Sequence, residues 1–100
     1  MTIRIEVTRV DLTLSGAQRT ALGLGPIGSD PRDAAVRCSV SEQTDDAHRF
    51  VATFDHAFQR SATTRSVLKA ALTAQARLLV DAANDAVSET AAVGMRISVD

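Results

Sequence analysis

Ile3, Ile5 and Val7 alternate with Arg4, Glu6 and Thr8, and Val10, Leu12 and Leu14 alternate with Asp11 and Thr13 on the opposite parity. A period of two marks a strand buried on one face. The change of parity near Thr8-Arg9 requires one extra residue, a β-bulge or break, if both halves are to face one core. Ser15 to Leu22 reads as a short helix, with Ser15 as cap, Gln18 at the capping-box position and Gly23 as a left-handed stop. Gly25, Pro26, Gly28 and Pro31 make Leu24 to Asp33 a turn-rich connection. Val36, Cys38 and Val40 predict a second strand, and Glu42 to Asp46 a turn. Phe50, Ala52, Phe54, His56 and Phe58 predict a third strand, with this parity assigned to the core.

From about Ser61 or Thr63 to Ser88 the period lengthens to that of a helix. Val67, Leu68, Ala71, Leu72, Gln75, Leu78, Leu79, Ala82, Ala86 and Val87 form the expected buried stripe, with Arg65, Lys69, Arg77, Asp81 and Asp85 mostly off it. Val93, Met95, Ile97 and Val99 alternate again and predict a fourth strand. The expected fold class is α+β: a four-stranded antiparallel sheet in ferredoxin-like βαββαβ order, packed on one long amphipathic helix, with a short first helix. In that split βαβ arrangement the first and third strands are central and the second and fourth are edges.

A short first helix covers less sheet than a full-length one. Leu22, Leu24 and Ile27 of the connection, or a second chain, must cover the rest, and Phe58, Met95 and Ile97 join them as candidate interface residues. The other face carries Arg4, Glu6, Arg37, Asp55, Arg96 and Ser98. Mixed charges of this kind read first as a solvated face, and second as an anion-binding face on Arg4, Arg37 and Arg96.

The 100 residues carry 11 basic and 12 acidic side chains, a net charge of −1, and 45% hydrophobic residues, which fits one globular domain over residues 1–100. Near-neutral charge argues against an electrostatic nucleic-acid binder. No apolar run approaches the ~20 residues of a membrane span, and the start shows no signal-peptide pattern. A single cysteine, Cys38, makes no internal disulfide and fits a reducing, cytoplasmic location; a virion is compatible. Ten arginines against one lysine, Lys69, with abundant alanine, read as the codon bias of a GC-rich genome.

Several motifs have a structural account that outweighs the chemical one. Gly23 to Gly28 spells GxGxxG, but it follows a helix, contains Pro26 and leads into a strand, the reverse of a dinucleotide fingerprint. His48 and His56 lie eight residues apart on one strand, too far to share an ion; Cys38 with His48 across a hairpin makes only two ligands. Asp55 and His56 are adjacent on a strand and point to opposite faces. RNA-recognition modules share the expected strand order but stack bases on outer-face aromatics, whereas Phe50 and Phe54 have core parity and the first strand has none. Ser61, Thr63 and Thr64 serve as helix caps before they serve as a phosphate site with Arg60 and Arg65, and Asp81 with Asp85 reads as solvated helix surface.

No set of nucleophile, base and oxyanion donor can be assembled from two histidines and one thiol. The expectation is a non-enzymatic structural or assembly subunit with no cofactor or metal, associating with itself or with other protein subunits, of the kind found in viral or secretion assemblies. The alternatives are a regulatory domain binding a small molecule at a dimer interface near Gly23 to Gly28, and a small enzyme using His48 or His56.

Overall fold

The computed structural model of the protein describes residues 2–26 and 28–92. Its elements are β1 (Thr2–Asp11), α1 (Gly16–Ala21), β2 (Ala34–Gln43), β3 (His48–Phe58), a 3₁₀ turn at Arg60–Ala62 and α2 (Arg65–Ala92). Among the described residues there is one sheet of three strands in the order β1-β2-β3, and both pairings are antiparallel.

This topology replaces the expected four-stranded βαββαβ sheet. β1 pairs directly with β2, so β2 is central, and β1 and β3 are the edges. The physical reason is the first connection. The segment from Leu12 to Asp33 closes on itself at the end of β1, where the Leu14 amide donates to the Asp33 carbonyl at 3.0 Å. The chain therefore re-enters the sheet beside the end of β1 and returns as its antiparallel neighbour. The expected fourth strand, Val93 to Val99 with Met95, Arg96 and Ile97, lies outside the described residues, as does Ile27.

Local signals behave as the sequence pattern implies. The Ser15 hydroxyl accepts from the Gln18 amide while the Gln18 side chain accepts from the Ser15 amide, closing the capping box. Gly23 has φ of 73°, the left-handed conformation that favours glycine. The register of β1 against β2 shifts between Val7 and Arg9, which leaves Thr8 as the bulged residue. Val7 and Val10 consequently share the side of the sheet that faces α2.

A second bulge corrects the third strand. Val40 pairs with Ala52 but Ser41 pairs with Phe50, so Val51 is the extra residue. Val51 packs on the core, and Phe50, expected inside, is turned to the opposite face and left 60% exposed. Phe54 and Phe58 keep their core positions.

The core lies between β2 and α2. Val36, Cys38 and Val40 meet Leu72, Ala76 and Val80, with Ile3, Ile5, Phe54 and Leu79 filling the margins. The buried line of α2 is thus Leu68, Leu72, Ala76, Leu79 and Val80. Val67 and Leu78, expected in the stripe, are exposed. At the far end of the sheet Arg49 donates to both Glu42 Oε1 (2.9 Å) and Asn84 Oδ1 (3.1 Å), tying β2, β3 and α2 together.

Candidate interaction surface

Alternation along β2 sends Val36, Cys38 and Val40 toward α2, and Ala35, Arg37, Ser39 and Ser41 toward the open face. Opposite these on β1 stand Asp11, Arg9, Glu6 and Arg4 in turn. The β1 and β2 part of the open face is therefore polar, as the alternation of β1 requires, while Phe50 on β3 stands exposed on the same face.

Its charges are not arranged as an anion site. Arg37 is held by Asp55, Nε to Oδ1 at 2.9 Å, a bond that raises the guanidinium pKa above its ordinary value. Arg9 is paired with Asp11 at 2.9 Å. Arg4 sits opposite Ser41, four positions along β2 from Arg37 and about 13 Å away, and Arg96 lies outside the described residues. Arg4 and Glu6 differ from their neighbours. Both are exposed, the residues facing them on β2 are Ser41 and Ser39, and among the described residues neither takes part in an ion pair.

On the α2 side the cover is incomplete along β1. Val7, Val10 and Leu12 are each about half exposed. Two adjoining cavities of about 310 and 580 Å³ run between β1 and α2, sharing Ile5, Lys69 and Thr73. Their floor is apolar, and Arg65, Lys69, Thr73 and Arg77, spaced four apart on α2, form the wall. The sequence pattern placed Arg65, Lys69 and Arg77 off the buried stripe; the groove beneath them follows from α2 lying over the central strand.

The short first helix does not roof this apolar side. Leu14, Gln18, Ala21 and Leu22 share a cleft of about 200 Å³ with Arg9, Asp11, Ala35, Arg37 and Asp55, which sets α1 against one end of the open face. Leu22 is half-buried there, Leu24 is half-buried beside Arg19 and Thr20 on the other side of α1, and Phe58 is half-buried in the core. The candidate interface residues that are described thus occupy separate places. The cleft falls below the ~300 Å³ at which small-molecule pockets begin, and its charges already hold one another.

The connection contains a device the sequence pattern does not reveal. Arg19 is buried, and its guanidinium donates to the carbonyls of Gly25 (3.0 Å), Asp30 (2.9 Å) and Arg32. Three converging carbonyls satisfy the planar fork and fasten the Leu24 to Asp33 loop to α1. Asp30, bound in turn by Arg32, is held well below the usual carboxylate range. No short motif announces such a clasp, because its acceptors are backbone groups.

The titratable candidates are dispersed. Cys38 is fully buried opposite Phe54, and desolvation pushes its thiol pKa up. His48 is on the open face, with Nε2 3.1 Å from Ser41 Oγ. His56 lies on the α2 side and stacks on Phe58 at 6.2 Å; burial, with a smaller contribution from Arg32, lowers its pKa. Cys38 and His48 are not brought together. Among the described residues, no three His, Cys, Asp or Glu side chains converge as a metal site requires. No described helix is long and apolar enough to cross a membrane. Comparison with protein-family models, with curated proteins and with solved structures finds no match for this chain.

Proposed function

We propose that the chain is a non-enzymatic assembly subunit whose partner is another copy of itself. The observation that carries this reading is the apolar strip Val7 and Val10, left about half exposed on edge strand β1, with Leu12 as exposed just past its end and Val7 lining an apolar groove against α2. Exposed apolar area of this kind, contiguous and next to an open strand edge, is the mark of an interface. A second patch supports the same reading: Val67 and Leu78 lie on one face of α2, three turns apart, with Ala71 and Ala74 between them. The dispersal of Cys38, His48 and His56 favours association over catalysis.

Light scattering coupled to size exclusion, over a hundredfold range of concentration, tests the reading. The expected mass is a multiple of the 10.6 kDa protomer that falls on dilution. A 10.6 kDa species at every concentration overturns it.

A further inference from the structure

The residues of β1 that form no ion pair among the described residues are complementary to themselves. Ile3-Arg4-Ile5-Glu6-Val7 reads the same way from both ends if the charges are exchanged: apolar, charged, Ile5, opposite charge, apolar. We infer that two copies pair β1 to β1, antiparallel, about a two-fold axis through Ile5, a step that rests on the self-association proposed above. In this register Arg4 faces Glu6 of the partner subunit and Glu6 faces Arg4 of the partner subunit. Val7 faces Ile3 of the partner subunit on the α2 side. Thr2 and Thr8 close the ends.

Three observations select this pairing. Every other described ionic side chain on the open face has its counter-ion within the chain, Arg9 with Asp11 and Arg37 with Asp55, while Arg4 and Glu6 face only serines. The segment Thr2–Val7 lies on the regular side of the Thr8 bulge, so its outer edge presents an unbroken row of backbone groups. Val7, about half exposed in the protomer, gains an aliphatic neighbour.

The axis stands normal to the sheet, so the pairing yields six strands, β3-β2-β1 followed by their mates, with both α2 helices on one face. The helices are then about three strand spacings apart, ~14 Å. Their Lys69 and Arg77 side chains face each other across that gap with heads in water, where screening over ~8 Å limits the repulsion. A slip of one residue turns the Ile3, Ile5 and Val7 side of one copy toward the charged side of the other. A slip of two sets Arg4 against Arg4, or Glu6 against Glu6.

Charge reversal tests the register. Glu6→Arg replaces both attractive cross-strand pairs by repulsive ones and is expected to weaken self-association by roughly tenfold or more. Arg4→Glu combined with Glu6→Arg restores opposite charges and is expected to recover the wild-type mass profile. Circular dichroism of each variant confirms that the protomer is folded. As a second measurement, Arg4→Cys and Glu6→Cys chains, mixed and oxidised, are expected to cross-link to each other. Neither is expected to cross-link to itself, because the diagonal Cα separation of about 7–8 Å exceeds the disulfide range. Self-association that persists in Glu6→Arg, with no mixed cross-link, overturns the β1 pairing and leaves assembly through another surface. A monomeric wild type overturns both. A wild-type monomer whose β1 amides are nonetheless protected from exchange assigns that edge to another segment of the same chain, and equally refutes the pairing.

Discussion

Arg19 offers the sharpest quantitative test of the fold. Replacing it by Met keeps helix propensity and side-chain length but removes all the donors to Gly25, Asp30 and Arg32. A hydrogen bond from a charged donor contributes about 1.5–3 kcal/mol, and an acceptor stranded without water costs about 1–3 kcal/mol. The full sum is not expected, because a guanidinium itself costs several kcal/mol to desolvate and the freed loop can open to water. The net expectation for Arg19→Met is a loss of about 3 kcal/mol in urea unfolding, with the slope against denaturant unchanged. Arg19→Lys retains the charge but not the planar fork, so it should recover about half of that loss. The loss should be local as well as global. The amides of Ser29 and Asp30, which donate to the Pro26 carbonyl, and of Leu24, which donates to Arg19, should exchange faster in hydrogen-exchange mass spectrometry. If Arg19→Met unfolds within about 0.5 kcal/mol of the parent, the range of an ordinary surface substitution, and those amides keep their protection, the clasp does not hold the loop.

Two further outcomes follow from the core and from the titratable groups. Phe50→Ala should change stability by less than about 0.5 kcal/mol and Phe54→Ala should cost about 2–3 kcal/mol in the same assay, because the Val51 bulge puts only the second ring against α2. Equal losses would remove the bulge. The pKa of His56 is lowered on folding by burial, so the unfolded chain binds its proton more readily. Stability should therefore be full above the ordinary histidine value of about 6.5 and decline as the pH falls below it. His56→Phe, which preserves a ring beside Phe58, should flatten that decline in a pH series of thermal midpoints; an unchanged slope assigns the decline to other groups.

Much of this architecture is written in short stretches of chain. The Ser15–Gln18 box, the Gly23 stop, the Thr8 bulge and the helical period after Arg65 each depend on side chains within a few residues of one another, so periodicity and cap chemistry disclose them. The exposed, oppositely charged Arg4 and Glu6 were equally legible as an alternation. That they form no ion pair among the described residues was not, since it depends on Ser39 and Ser41 being the residues opposite.

Strand order, facing and helix rotation belong to the tertiary structure. β2 became central because the connection after β1 closes on itself, the Leu14 amide bonding the Asp33 carbonyl, a contact between residues nineteen positions apart that no local pattern discloses. The Val51 bulge turned Phe50 outward because strand register is set by the neighbouring strand. Helix α2 carries two apolar lines, Val67-Ala71-Ala74-Leu78 and Leu68-Leu72-Ala76-Leu79-Val80. Only packing against Val36, Cys38 and Val40 decided which would be buried and which left exposed. Local sequence fixes each element through contacts a few residues apart, whereas pairing, facing and rotation are settled by contacts between residues tens of positions apart, whose balance no single window of the chain contains.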